Sequence, residues 1–181
     1  VELINTPSLN DKLTAFINVS GIDTCQLTQL LPQWFWQLCP IDGVDQYAVV
    51  NAMSSRPPIW ARAQTLSTEK VIKSLGQAGI EAKANSYFSD AINLGHKSIN
   101  LNEVNVYKQG YLEIQDLASQ VIGQICQPNN HDKWWDACSG AGGKTLQLYS
   151  LMLQQSSALT GSIIASDIRT KPLEELRKRA K

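Results

Sequence analysis

Cysteine and histidine are scarce in this chain, and the few present do not cluster. The four cysteines stand at 25, 39, 126 and 138 without a Cys-x-x-Cys pair, and only His96 and His131 could join them. That spacing argues against a metal site. Free thiols in a reducing compartment are the simplest reading, so the expected location is cytoplasmic. No run of 18 or more apolar residues occurs, so no spanning helix is expected and no membrane partner. The opening residues Val1-Glu2-Leu3-Ile4-Asn5 lack a basic stretch followed by an apolar core, so they do not read as a secretory signal. They also lack an initiator methionine, and the chain is expected to be trimmed or excised. An excess of one charge is missing too: 16 Lys and Arg balance 16 Asp and Glu, which argues against a uniformly basic coat for nucleic acid.

What is present is ordinary in bulk and uneven in detail. With 43% hydrophobic and 18% charged residues over 181 positions, one or two globular domains are expected. Acids dominate the first fifty residues, with Glu2, Asp11, Asp23, Asp42 and Asp45 against Lys12. Bases dominate the last thirteen, with Arg169, Lys171, Arg177, Lys178, Arg179 and Lys181 against Glu174 and Glu175. A solvated helix face with Glu174 and Lys178 as an i,i+4 pair explains that tail better than a phosphate-contacting patch.

The most informative stretch is Asp136-Ala137-Cys138-Ser139-Gly140-Ala141-Gly142-Gly143-Lys144-Thr145, between an apolar run at Trp134-Trp135 and a helix-like run from Thr145. A glycine-rich turn between strand and helix lets a backbone approach a small ligand. A phosphate loop, Gly-x-x-x-x-Gly-Lys-Ser/Thr, fails because its first glycine falls on Cys138. The dinucleotide fingerprint Gly-x-Gly-x-x-Gly starts at Gly140 and Gly142 and fails at Thr145. An S-adenosylmethionine site fits better: an acid, Asp136, closes the first strand, and glycines follow at alternate positions. Residues 162–166 read as the next buried strand, and Asp167 ends it in the place of a ribose-binding acid, a spacing close to the roughly 20 residues of dinucleotide folds. The plainer alternative is a tight turn with Asp167 capping the next helix.

Asp136 to Thr145 resembles the Asp-x-Cys-Ala-Ala-Pro-Gly-Gly-Lys-Thr signature of the RsmB/Sun-type (Nop/Sun) RNA (cytosine-5)-methyltransferases. Gly110-Tyr111-Leu112-Glu113-Ile114-Gln115-Asp116-Leu117-Ala118-Ser119-Gln120 resembles their Gly-aromatic-x-x-x-Gln-Asp-x-x-Ser-Gln segment. Arg56-Pro57-Pro58-Ile59-Trp60-Ala61-Arg62 resembles their Arg-Pro-Pro-x-x-x-Arg, and Ser166-Asp167-Ile168-Arg169 the ribose-acid segment. The likeness runs from about Pro32 to the end. Two departures stand out: Ser139-Gly140-Ala141 replaces Ala-Ala-Pro, which removes a proline that would fix φ, and Arg62-Ala63-Gln64-Thr65 replaces Arg-x-Asn-Thr.

The resemblance implies an α/β fold: the start of a Rossmann-like S-adenosylmethionine-dependent methyltransferase sheet, preceded by a helical segment and a small α+β domain of ferredoxin or RRM type. The expected division is 1–110 for the helical lead plus the RNA-binding-like domain, and 111–181 for a truncated methyltransferase domain. Cofactor contacts are expected from Cys138, Ser139, Gly140, Ala141, Gly142, Gly143 and Lys144 in the turn and from Asp167; Lys144 reads equally well as a solvated side chain. The implied activity is formation of 5-methylcytosine in RNA, rRNA more than tRNA, as part of RNA modification and rRNA processing. Covalent catalysis would use two cysteines after Pro-Cys and Thr-Cys motifs. No Pro-Cys occurs in this chain, and its single Thr-Cys, Thr24-Cys25, lies far upstream of the glycine turn and not in a later strand. No catalytic residue is assigned, and the fragment is expected to be inactive alone. The alternative is a non-enzymatic RNA- or protein-binding module that retains a methyltransferase-like turn.

Local patterns give the expected elements. Ser8 caps a helix over 8–17, a short helix starts at Asp23 and stops at Pro32, and Asp42 caps a third running to about Met53. Trp34, Phe35, Trp36 and Leu38 read as core. Residues 59–65 alternate, with Ile59, Ala61 and Ala63 on one face and Trp60, Arg62 and Gln64 on the other; Arg62 on an exposed sheet face would suit the RNA-binding domain that the resemblance implies. A helix runs from Ser67 or Thr68 to Gly79, and short strands follow near 81–88, 91–94 and 103–114, the last broken by the turn Lys108-Gln109-Gly110. Beyond Asp116 a helix turns Leu117, Ala118, Val121, Ile122 and Ile125 inward and ends at Pro128. A strand at 133–137, a helix to about Gln155, the strand at 162–166 and a helix near Pro172 complete the chain. A two-stranded parallel pair lacks the cover such sheets need, so exposed apolar surface near 146–153 and 162–166, hidden by self-association, is expected.

Overall fold

The computed structural model describes residues 8–155 and 158–180. The backbone divides into two compact units, 1–57 and 58–181. The boundary expected near residue 110 falls inside the second unit.

In the first unit, helix α1 spans Leu9–Ser20, and the Ser8 hydroxyl accepts from the Asp11 N–H at 3.1 Å, the cap that the sequence suggests. The short helix expected from Asp23 is a single 3-10 turn at Leu27–Leu30. Helix α2 covers Gln33–Leu38 and α3 covers Gln46–Ser54. The cap of α3 is Asp45, whose carboxylate accepts from the Ala48 N–H at 3.2 Å, and not Asp42. Asp45 alone stands next to the first helical residue, where a side-chain oxygen can reach an orphan N–H. The aromatic cluster is a second correction: Trp34 and Leu38 are exposed, while Phe35 and Trp36 are half-buried. Only Leu27 and Val50 are buried apolar residues among those described in this unit.

The second unit begins with strand β1, Trp60–Ala63, followed by α4, Thr68–Gln77, β2, Lys83–Ala84, and β3, Ala91–Asn93. Then come α5, Asn105–Lys108, and β4, Leu112–Ile114. The four strands form one antiparallel sheet in the order β2-β3-β1-β4. A β-α-β-β-α-β chain in this order has the split βαβ arrangement. The strand expected over 103–114 is a short helix in its first half. One sheet face is apolar: Ala61, Ala63, Ile92 and Leu112 pack with Val71, Leu75 and Val106 of the helices, all essentially buried.

Helix α6, Leu117–Cys126, starts at Asp116, whose carboxylate accepts from the Ala118 N–H at 3.0 Å. Strand β5, Lys133–Asp136, leads through the glycine turn into α7, Gly143–Gln155. Strand β6, Ser162–Ala165, and helix α8, Thr170–Arg179, follow. The pair β5–β6 is parallel, with Trp135 opposite Ile164 and Asp136 opposite Ala165. Two expectations about packing are corrected. The buried face of α6 is Gln120 and Gly123, while Ala118, Ile122 and Ile125 are exposed. The apolar side chains of 146–153 are mostly buried, with Leu146, Leu148, Leu151 and Met152 inside. Exposed apolar surface is found at 162–166, where Ile164 faces solvent beside Trp135.

Candidate functional site

The turn between β5 and α7 is built by backbone geometry that only small residues allow. Gly140 has φ 54° and Gly142 has φ 89°, both in the region that favours glycine. At Gly142 there is a second reason: a Cβ would lie 2.1 Å from Leu176 Cδ1 of α8. The turn closes on itself through the Gly142 N–H, which donates to the Ser139 carbonyl at 2.8 Å, and is tied to the end of β6 by the Ser139 N–H on the Ser166 carbonyl at 2.9 Å. Asp136 accepts from the Thr145 hydroxyl at 2.6 Å, which anchors the first turn of α7 to the end of β5.

Asp167 faces the bend. Its Oδ2 accepts from the Gly140 N–H at 2.9 Å, across 27 residues of chain. The same carboxylate accepts from the Arg169 N–H and Nε at 2.9 Å on Oδ1 and from Nη2 at 3.0 Å on Oδ2. These bonds, the Arg169 guanidinium first, hold the Asp167 carboxyl far below the usual carboxylate range, so it is ionised throughout the neutral range. The four donors fill the roughly four acceptor positions of a carboxylate. Hydroxyls that donate to Asp167 would therefore have to replace Arg169, whose side chain is 66% exposed.

The other expected site residues fall as follows. Cys138 is exposed with a free thiol. Ser139 is buried, and its hydroxyl has no hydrogen-bond partner among the described residues. Gly140, Ala141 and Gly143 are half-buried, and among the described residues no atom beyond the adjoining backbone lies within 4 Å of a Cβ built on Gly143, so the bend is open there. Lys144 is exposed, in line with a solvated side chain. A bend of bare main chain, an orphaned buried hydroxyl and an ionised acid form a donor and acceptor set that suits an adenosyl ligand with a charged amino-acid tail.

Sequence reasoning missed a buried polar layer between the four-stranded sheet and helices α6 and α7. Arg62, expected on an exposed face, is completely buried. Its Nε donates to Gln115 Oε1 at 3.0 Å and its Nη2 to Gln64 Oε1 at 2.9 Å, while Nη1 has no partner among the described residues. Burial lowers the Arg62 pKa to about 10, and nearby Asp90 opposes that fall. Burial likewise pushes the Asp90 carboxyl up, against its hydrogen bonds and the attraction of Arg62. From Gln115 the layer continues to Gln147 Oε1 of α7 at 3.1 Å, and Gln147 donates to the Gln120 carbonyl at 2.7 Å. Gln120 in turn donates to the carbonyls of Ala61 and Gln115. Gly123 leaves the room for this: a Cβ there would lie 2.2 Å from Gln147 Cδ. The in-phase alternation of Arg62 with Gln64 and of Glu113 with Gln115 is the sequence signal that marks the polar face.

No family model matches the chain. It is 28% identical over 128 residues to ribosomal RNA small subunit methyltransferase B of Sodalis glossinidius (strain morsitans), covering 69% of this chain and 29% of that protein. To the protein of the same name from Pectobacterium carotovorum subsp. carotovorum (strain PC1) it is 31% identical over 102 residues, 55% of this chain and 24% of the relative. The chain thus spans under a third of the length of these relatives. Among solved structures it is similar to a methyltransferase homologue from Pyrococcus horikoshii, with a TM-score of 0.65 and 22% identity over 80% of this chain and 46% of that one. It is also similar to NSun6 from Pyrococcus horikoshii, with a TM-score of 0.66 and 15% identity over 86% of this chain and 62% of that one. These structures share the fold, and the relatives make the chain a distant, partial-length homologue of ribosomal RNA methyltransferases.

Proposed function

We propose that this chain is part of an S-adenosylmethionine-dependent RNA methyltransferase that forms 5-methylcytosine in rRNA, and that residues 138–144 with Asp167 hold the cofactor. The observation that carries this reading is the hydrogen bond from the Gly140 N–H to Asp167. It brings the acid at the end of the second strand against the glycine bend, where the carboxyl ends of parallel strands put their ligands. The kinship to ribosomal RNA methyltransferases supports the substrate class.

Within the site, Asp167 would accept from the ribose hydroxyls once Arg169 has swung away. The main chain of 140–143 and the Ser139 hydroxyl would bind the methionine part. The bound cofactor supplies an electrophilic methyl group. This chain supplies orientation: Asp136 locks the start of α7 through Thr145, and the buried polar layer holds α6 and α7 against the four-stranded sheet. Cys138 sits in the bend, a position that would touch cofactor, and it is not assigned as a nucleophile. The chain alone is proposed to be inactive.

Calorimetric titration of S-adenosylhomocysteine into the chain tests the reading. Binding is expected for the native chain and a loss of at least about tenfold for Asp167→Ala, the scale of a charged hydrogen-bond set. ATP serves as the control ligand. Equal affinity of the native chain and Asp167→Ala, or a preference for ATP, overturns the assignment.

A further inference from the structure

Ala141 lies between two glycines with positive φ, 54° at Gly140 and 89° at Gly142. Such a segment has little intrinsic stiffness, because glycine loses more conformational freedom on ordering than any other residue. The ring that would fix φ at position 141 is also missing, since alanine stands where the resembling signature has proline. An ordered bend here therefore needs an external restraint.

The structure supplies one from the last turn of α8. Arg179 Nη1 donates to the Ala141 carbonyl, and Nη2 donates to the carboxylate of Glu113 in β4. The Glu113 side chain is only 8% exposed, and Arg179 is itself mostly covered. A carboxylate fixed in a sheet and shielded from water holds an arginine more firmly than a surface partner does. The planar guanidinium reaches both acceptors at once, which a lysine ammonium on a flexible stem does less well. One side chain thus joins the four-stranded sheet, the bend and α8. The last-turn placement also favours a cation, by the helix dipole.

We propose that Arg179, held by Glu113, is a positioning residue for the bend: it fixes the Ala141 carbonyl and through it the main chain of 140–143. The cofactor arm of the test rests on the function proposed above; the structural arm does not. Amide exchange read by mass spectrometry on peptides covering 138–146 measures the restraint directly. In Arg179→Gln, exchange in that region is expected to rise about tenfold, the loss of one charge-assisted hydrogen bond, with α4 unaffected. Glu113→Gln, which keeps the side-chain volume, is expected to reproduce this, and the double variant to be no worse than either single one. Arg177→Gln, an exposed neighbour, should match the native chain. Affinity for S-adenosylhomocysteine should fall by about tenfold in Arg179→Gln and be restored less than halfway by Arg179→Lys. Unchanged exchange in both Glu113→Gln and Arg179→Gln overturns the proposal, and so does simple additivity in the double variant. Should Arg179→Gln fail to fold, Glu113→Gln carries the test. If the native chain binds no S-adenosylhomocysteine, the cofactor reading falls while the exchange result still decides the role of Arg179.

Discussion

The two sheets of the second unit solve the problem of cover in different ways. The four-stranded sheet has an apolar face closed by α4 and α5 and a polar face closed by α6 and α7. The parallel pair β5–β6 has one half-buried row, Trp134 and Ile163, with α7 packed against β6, and one open row, Trp135 and Ile164. Stability should therefore concentrate in the first sheet, while the proposed cofactor site lies at the end of the second. Parallel sheets are normally covered on both faces, and two strands alone are marginal. The local ties of the bend, Asp136 to Thr145 and Gly140 to Asp167, hold a pair that its own packing barely secures.

The sharpest way to break this contrast is to remove apolar bulk from the helix that covers the first sheet. Leu75→Ala is expected to cost about 4 kcal/mol in urea unfolding, because Leu75 has no exposed surface and the cavity cannot collapse easily. A loss under about 1 kcal/mol would mean that the apolar face is not the core of the unit.

The polar face should rank next. Arg62→Met is expected to cost about 3 kcal/mol by urea unfolding, since it leaves Asp90 and the amide oxygens of Gln64 and Gln115 without their cation. Arg62→Lys should recover little, because an ammonium cannot span both glutamines. A neutral outcome for Arg62→Met would show the layer to be filler and not a scaffold. Gly142→Ala then probes the weaker region: about 2 kcal/mol is expected from the positive φ and the displacement of Leu176, with the largest rise in amide exchange in 138–146.

The same division explains what was legible beforehand. The glycine bend, the Ser8 cap and the facing of Asp167 toward the bend depend on neighbours in sequence or on a fixed strand–turn–helix spacing. They could be read from residue types alone. Helix α6 could not. Its apolar stripe, Ile122 and Ile125, points outward because Gln120 and Gly123 are claimed by a network completed by Gln115 and Gln147, which only folding brings close. Arg62 departs from its expected exposed face for the same reason: burial of a guanidinium is decided by partners up to 53 residues away. The first half of 103–114 became a helical turn because Val106 docks into the apolar core, a tertiary preference that overrides strand propensity.

The smallest effect on stability carries a separate consequence. Trp135 is 70% exposed and Ile164 is 64% exposed, directly opposite each other on the open face of the pair, with Ile168 just beyond. Substituting exposed side chains seldom changes stability by more than about 0.5 kcal/mol. The double variant Trp135→Gln/Ile164→Thr should therefore melt like the native chain. Yet an apolar strip on a thinly covered sheet favours association. Light scattering should find the native chain self-associating at concentrations where the double variant is monomeric. If both are monomeric and the variant melts markedly lower, the strip is covered from within, and the contrast between the two sheets disappears.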